Sequence, residues 1–236
     1  MTIHSYGSNA VLIRLDGGIT DDNLSSIKNV STQAQKTYAD RIFDVIPAYD
    51  SIVIRYNVEE VGYEELSQFI SSIDLHEQTS NSSRELSIPV CFHSSFALDQ
   101  DRVVEICNKP IDEVRQLLLS RSYQVHMMGF LPGFAFMASV DDALDCPRLS
   151  SPRKSVPAGS VAITGKQTAI YPVDSPGGWN ILGHCPVDMF NANRQEPSLL
   201  KAYDRVTYKP ITLEEHRHIA DEVSSGHYDY NQHIIS

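Results

Sequence analysis

Residues 156–179 read Val156-Pro-Ala-Gly-Ser-Val-Ala-Ile-Thr-Gly-Lys-Gln-Thr-Ala-Ile-Tyr-Pro-Val-Asp-Ser-Pro-Gly-Gly-Trp179. Ser160 to Thr164 and Thr168 to Tyr171 are short strand-forming runs on either side of Gly165-Lys166-Gln167, a hairpin tip. Pro157-Ala158-Gly159 leads into the first run, and Ser175-Pro176-Gly177-Gly178 follows the second. The surrounding 58 residues, Gly129 to Pro186, hold seven of the 12 Gly and seven of the 12 Pro. Such punctuation forbids long helices and allows short strands joined by rigid turns, so a β-barrel or compact sandwich is expected. Tyr123 to Met128 and Arg205 to Lys209 supply further strands, and a helix over Leu213 to Val223 closes the chain.

Towards the N-terminus the texture differs. Ala10 to Leu15 reads as an apolar strand, followed by the turn Asp16-Gly17-Gly18. Thr20 and Asp21 can cap a helix running to about Ala39, with Leu24, Ile27, Ala34 and Tyr38 on one face. Ile42 to Ile46 and Ser51 to Tyr56 form a hairpin around Pro47-Ala48-Tyr49-Asp50. Leu66, Phe69, Ile70 and Ile73 then give the apolar stripe of a core-facing helix. After the polar stretch Glu77 to Glu85, Leu86, Ile88, Val90 and Phe92 alternate as a strand, with Pro89 suited to an edge position. The order β-α-β-β-α-β is that of a ferredoxin-like split βαβ sandwich. The expected class is α+β, with a small domain over 1–84 and a barrel domain over 85–236. Two helices, Asp99 to Asn108 and Ile111 to Ser120, precede the first barrel strand.

The 236 residues carry a net charge of −11, which argues against nucleic acid or an anionic membrane as the main partner. No apolar run is long enough to span a bilayer, and Met1-Thr2-Ile3-His4-Ser5 lacks the basic start of a secretion signal. Cys91, Cys107, Cys146 and Cys185 are widely spaced and read as idle thiols of a reducing compartment, so a cytoplasmic protein is expected.

Familiar catalytic signatures are absent: there is no phosphate-binding Gly-rich loop, nucleophile elbow or zinc-binding His-Glu-x-x-His. Ser151-Pro152-Arg153-Lys154 matches Ser-x-x-Lys, but Pro152 disturbs the helix that motif needs. His216 and His218 fall on different faces of one helix, so they cannot chelate one metal, and no metal is expected on this chain. Rigid turns carrying polar and aromatic groups stand out instead. Gly129-Phe130-Leu131-Pro132-Gly133-Phe134 sets aromatics on both sides of a Pro-Gly turn. Arg148, Arg153 and Lys154 form a local positive cluster suited to a carboxylate or phosphate, unless Asp141, Asp142 and Asp145 neutralise it. Gly177-Gly178 offers backbone N–H groups beside the only tryptophan, Trp179.

Taken in order, Gly129 to Phe134, Pro147-Arg148, Pro152-Arg153, Val156 to Val161, Gln167-Thr168, Ile170 to Pro172 and Ser175 to Trp179 resemble the allophanate hydrolase subunit 1 family. That family includes the 5-oxoprolinase subunit PxpB and the sporulation kinase inhibitor KipI, and its domains are a carboxyltransferase region, taken as subdomains A and B. The resemblance implies a cyclophilin-like barrel and work in a complex. A second cyclophilin-like subunit (PxpC-like) and a third, metal-dependent subunit (PxpA-like) would join it in cleaving 5-oxoproline to glutamate with ATP. It places a small anionic substrate against Phe130, Pro132, Phe134, Arg148, Arg153, Ser160, Gln167, Tyr171, Ser175, Gly177, Gly178 and Trp179, with no catalytic residue assigned. Arg148 and Arg153 would bind an anionic group, and Gln167 would orient an amide. The KipI-like alternative docks Phe130, Phe134 and Trp179 on a histidine kinase. Fold-level analogy with cyclophilins is a poor warrant for prolyl isomerase activity. The chain departs from the family pattern at Ser8, Leu118, His184-Cys185 and Tyr203, where Asp, His, Arg-Thr and Gly are usual.

Overall fold

The computed structural model describes residues 1–75 and 83–235. Most of the polar stretch Glu77 to Glu85 lies outside them. The chain divides into two compact units, Met1–Ser82 and Ser83–Ser236.

The first unit is a four-stranded antiparallel sheet carrying two helices. Its elements are β1 (Thr2–Ser5), β2 (Ala10–Arg14), α1 (Asp21–Tyr38), β3 (Ile42–Pro47), β4 (Ser51–Tyr56) and α2 (Tyr63–Ser72), in sheet order β1-β2-β4-β3. Thr20 caps α1 by accepting the Asn23 N–H at 3.1 Å, and Leu24, Ile27, Val30, Ala34 and Tyr38 bury its inner face. Helix α1 connects β2 to β3, and β4 lies between those two strands in the sheet. The expected sixth element is corrected. Leu86 to Phe92 does not join this sheet; its fourth strand is the N-terminal β1, paired with β2 from Thr2↔Arg14 to Ser5↔Val11. The element order is thus β-β-α-β-β-α.

The second unit is built on a closed seven-stranded barrel. Its strands are β5 (Glu85–Cys91), β6 (Ser122–Met128), β7 (Ala135–Ala138), β9 (Ser160–Thr164), β10 (Gln167–Ile170), β12 (Asn180–His184) and β13 (Arg205–Ile211). They close in the order β10-β7-β6-β13-β5-β12-β9, in agreement with the cyclophilin-like expectation. A separate ribbon pairs β8 (Arg153–Val156) with β11 (Ser175–Gly177). Helices α3 (Gln100–Cys107) and α4 (Ile111–Leu119) send Val103, Val114 and Leu118 into the main core. Leu118 is fully buried there, and its carbonyl accepts the Tyr123 hydroxyl at 2.6 Å. Helix α5 (Leu213–Ser224) opens with a capping box between Thr212 and Glu215.

Pro89 is not on a free edge. Strand β5 runs parallel to β13 along its whole length, yet meets β12 only at His184↔Cys91. The Ile235 N–H donates to the Glu85 carbonyl at 2.7 Å, so the C-terminal segment covers that flank near residue 85. Pro89 falls in the gap between those two contacts, where a missing N–H costs little. Tyr203 sits at φ +73, a left-handed backbone conformation that glycine adopts at least cost. The next residue, Asp204, is buried and receives Arg84 Nε at 3.0 Å and Nη2 at 2.5 Å.

Candidate functional site

Strand alternation sorts the central hairpin into two faces. Val161, Ile163 and Ile170 face the main core, whereas Ala162, Ala169 and Tyr171 belong to a second cluster with Phe134, Val156, Trp179 and Ile181. Cross-strand partners share a face, and Ala162 pairs with both Ala169 and Ile181, while Ser160 pairs with His184. Ser160, Gln167, Tyr171 and His184 therefore share one outer face of β10-β9-β12.

Tyr171 is the centre of this face. Its ring is buried, and it packs closely against Gly177. A Cβ on Gly177 would come within 2.3 Å of the phenol oxygen, so glycine is required for this approach. Burial pushes the Tyr171 pKa up, while the Trp179 N–H, Arg148 and Arg153 oppose the shift. The phenol is therefore neutral at pH 7 and lies within the field of two guanidinium groups.

Those arginines differ. Arg153 Nη2 donates to Asp99 Oδ1 at 2.6 Å, and the other carboxylate oxygen of Asp99 accepts the Ile181 N–H at 2.7 Å. Its second terminal nitrogen, Nη1, is buried without a partner among the described residues, as is the Ser175 hydroxyl in the same ribbon. Arg148 is exposed and makes no ion pair among the described residues. With Gln167, Thr164, Gly165, Phe136 and Trp179 it lines a cavity of about 350 Å³. None of the three acidic neighbours pairs with it among the described residues: Asp141 pairs with Arg121 at 2.6 Å, Asp142 pairs with Lys166 at 2.8 Å, and Asp145 makes no ion pair.

The structure thus brings Arg148, Gln167 and Trp179 to one cavity and sets Arg153, Tyr171, Ser175 and Gly177 around the ribbon beside it. Gly178 packs on Pro152, and its carbonyl accepts the Leu149 N–H at 2.8 Å, which ties the Gly-Gly turn to the arginine segment. Phe130 and Pro132 line a different cavity, of about 600 Å³, with Leu200 and Lys201. Phe134 reaches neither. It is 2% exposed and stands edge-on to Tyr171 and Trp179 at 5.3 and 5.9 Å. The aromatic docking patch expected for a kinase is therefore not formed, since Phe134 and Trp179 are buried and only Phe130, 64% exposed at φ +68, projects.

Sequence reasoning missed a histidine pair. His184, on the Ser160 face, lies 2.8 Å from His216 of α5, through Nδ1 and Nε2 respectively, and Phe96 stacks against both rings. Between two neutral imidazoles, one ring N–H donates and the facing nitrogen accepts. Burial pushes both pKa values down, His216 to about 4, with His184 and Arg217 adding to its shift. The unfolded chain, whose histidines titrate near 6.5, therefore takes up protons first on acidification. Stability held by the neutral pair is complete above about pH 6.5 and is lost progressively down to about pH 4. His216→Gln is expected to flatten that part of the curve, by on the order of 1–2 kcal/mol, in urea unfolding followed across the interval. Parallel loss in both proteins would show that other groups carry the acid sensitivity.

Among the described residues no three His, Cys, Asp or Glu side chains group as metal ligands, and no helix is long and apolar enough to cross a membrane. The chain thus sets this outer face on a closed seven-stranded barrel. It belongs to the family described as carboxyltransferase domain, subdomain C and D, whose model matches residues 1–200; the expected labels A and B are corrected.

Within that family the chain is similar to proteins named as the B subunit of 5-oxoprolinase. It is 31% identical to that of Bacillus subtilis over 233 residues, 93% of this chain and 97% of the relative. Against that of Escherichia coli O157:H7 it is 34% identical over 206 residues, 86% and 93% of the two chains. The crystal structure of TTHA0988 superposes with a TM-score of 0.76 at 29% identity over 86% of this chain, which spans only 39% of that protein. The Kluyveromyces lactis urea carboxylase shares the fold, with a TM-score of 0.78 at 18% identity, over 96% of this chain and 23% of that one.

Proposed function

We propose that this chain is the B subunit of a 5-oxoprolinase and opens 5-oxoproline to glutamate only together with partner subunits. The observation that carries this reading is the 31% identity to the Bacillus subtilis protein over 97% of that protein's length. The cavity chemistry fits the substrate. 5-Oxoproline carries one carboxylate and one ring amide, and Arg148 suits the first through a charge-assisted, two-pronged hydrogen bond. The Gln167 amide both donates and accepts, and so matches a lactam C=O and N–H together. Trp179 and Phe136 close the apolar side of the same cavity.

A lactam is a poor electrophile because its nitrogen lone pair is shared with the carbonyl. In this reading ATP is a co-substrate of the complex, and phosphorylation of the carbonyl oxygen makes that carbon reactive towards water. The residues of this chain hold the carboxylate and fix the ring orientation, while a second cyclophilin-like subunit and a metal-dependent subunit complete the reaction. The four cysteines are all free thiols, which is consistent with a cytoplasmic setting. The test is omission from a reconstituted mixture. Glutamate release from 5-oxoproline and ATP should fall to background when this chain is left out, and unchanged release would sink the proposal.

A further inference from the structure

The four cysteines read as isolated thiols in the sequence, but two of them meet in space. Cys107 ends α3, Cys146 precedes Pro147-Arg148, and their sulfur atoms are 3.3 Å apart across 39 residues of chain. Cys146 is fully buried and Cys107 half-buried, whereas Cys91 and Cys185 are buried elsewhere in the core. A disulfide needs sulfurs at about 2 Å, so this pair has only about an ångström to close by side-chain rotation.

Both anchor points are well held. The Cys146 carbonyl accepts the Gly165 N–H at 2.7 Å, and an isolated β-bridge pairs the same two residues. From α3, Arg102 Nε donates to Asn180 Oδ1 at 3.0 Å, and Asn180 Nδ2 donates to the Pro147 carbonyl at 3.1 Å. Helix α3 and the segment carrying Arg148 are therefore already tied together on either side of the thiols.

We propose that Cys107 and Cys146 form a reversible disulfide, an oxidation site that fastens α3 to the segment presenting Arg148. With a small-molecule disulfide as oxidant, the Cys107 thiolate attacks one oxidant sulfur. A mixed disulfide forms, and the other half of the oxidant leaves as a thiolate that takes the proton Cys107 released. Cys146 then loses its proton and attacks the Cys107 sulfur, which expels the second half as a thiol. The protein gives up two electrons and two protons, and the oxidant gains them as two thiols. Burial first, and the contact with Cys107 next, push the Cys146 pKa up to about 12, so the more accessible Cys107 makes the first attack. The second attack is intramolecular between groups already in contact, which offsets the reluctance of Cys146 to ionise.

The full-length native chain is incubated with oxidised glutathione, quenched in acid, alkylated under denaturing conditions and read by peptide mass spectrometry. Alkylatable thiols should fall from the four of the reduced chain to two, with a reducible crosslink between the Cys107 and Cys146 peptides. Cys107→Ser should keep every remaining thiol alkylatable. The oxidised chain should also melt roughly 10 °C higher than the reduced one, by the closed loop alone. Four free thiols after oxidation would overturn the proposal. A lasting glutathione adduct on Cys107 that Cys146 never displaces would overturn it equally, as would a crosslink that survives in Cys107→Ser.

Discussion

Gly159→Ala is expected to destabilise the barrel unit by about 3 kcal/mol, the sum of left-handed backbone strain and overpacking. Gly159 sits at φ +79, where an L side chain is already strained. A Cβ there would stand 2.4 Å from the Cys185 carbonyl oxygen and 2.6–2.7 Å from the His184 ring, and neither can yield freely. The Gly159 N–H donates to the Tyr171 carbonyl at 2.7 Å, and its own carbonyl accepts the Cys185 N–H at 2.8 Å, so the backbone is held from both sides. Gly226 supplies the internal comparison. It has φ +74 but nothing within 4 Å of an added Cβ, so Gly226→Ala should cost only about 1 kcal/mol, for the backbone alone. Denaturant unfolding followed through the buried Trp179 reads both variants. Equal costs would mean that the contacts at Gly159 relax and that the turn is not a rigid support for His184.

Asp99→Ala has an effect of comparable size by a different route. Its carboxylate is buried and is shared between Arg153 Nη2 at 2.6 Å and the Ile181 N–H at 2.7 Å. Truncation leaves a half-buried guanidinium without its counter-charge and a strand N–H without its acceptor. Breaking one side of such a pair costs about 3–5 kcal/mol, and the partial exposure of Arg153 puts the expectation near the lower figure. Asp99→Asn keeps an acceptor for Ile181 and should recover part of the loss. If Asp99→Ala unfolds at the wild-type midpoint, Arg153 is not held by this pair and the ribbon β8-β11 owes its position to the aromatic cluster alone.

The barrel was legible wherever strands are long enough to alternate. Ser160 to Thr164 is β9 as read, and Tyr123 to Met128 and Arg205 to Lys209 match β6 and the start of β13. Strands buried on both faces left no period to read. Asn180–His184 is buried along nearly its whole length, so β12 has no polar face, and β8 and β11 are only four and three residues long. Strand β1 was missed for the opposite reason, because Thr2–Ser5 is largely exposed at a sheet edge and carries little apolar signal. The expected sixth element of the first unit failed because alternation identifies a strand without naming its sheet, and Leu86 to Val90 alternates equally well in a barrel.

The candidate site was legible as composition and not as geometry. Clustered Gly, Pro and Arg marked Arg148, Gln167 and Gly177, and Arg148 and Gln167 do share a cavity. The same signal could not separate Phe134, a core ring, from Phe130, an exposed one. Contacts between distant segments were invisible. Asp99 and Arg153 are 54 residues apart, His184 and His216 are 32 apart, and neither spacing carries a signature.

The most direct test of the working surface compares two neighbouring cations in the reconstituted complex. Arg148→Ala should lower glutamate formation from 5-oxoproline and ATP by on the order of 100-fold, the loss expected when a bidentate charged contact to substrate is removed. Lys154→Ala, exposed on the ribbon strand β8 but not lining the cavity, should leave turnover within about twofold, as should any screened surface charge. Wild-type turnover with Arg148→Ala, or equal losses in both variants, would contradict the assignment of the Arg148–Gln167 cavity as the substrate-binding surface.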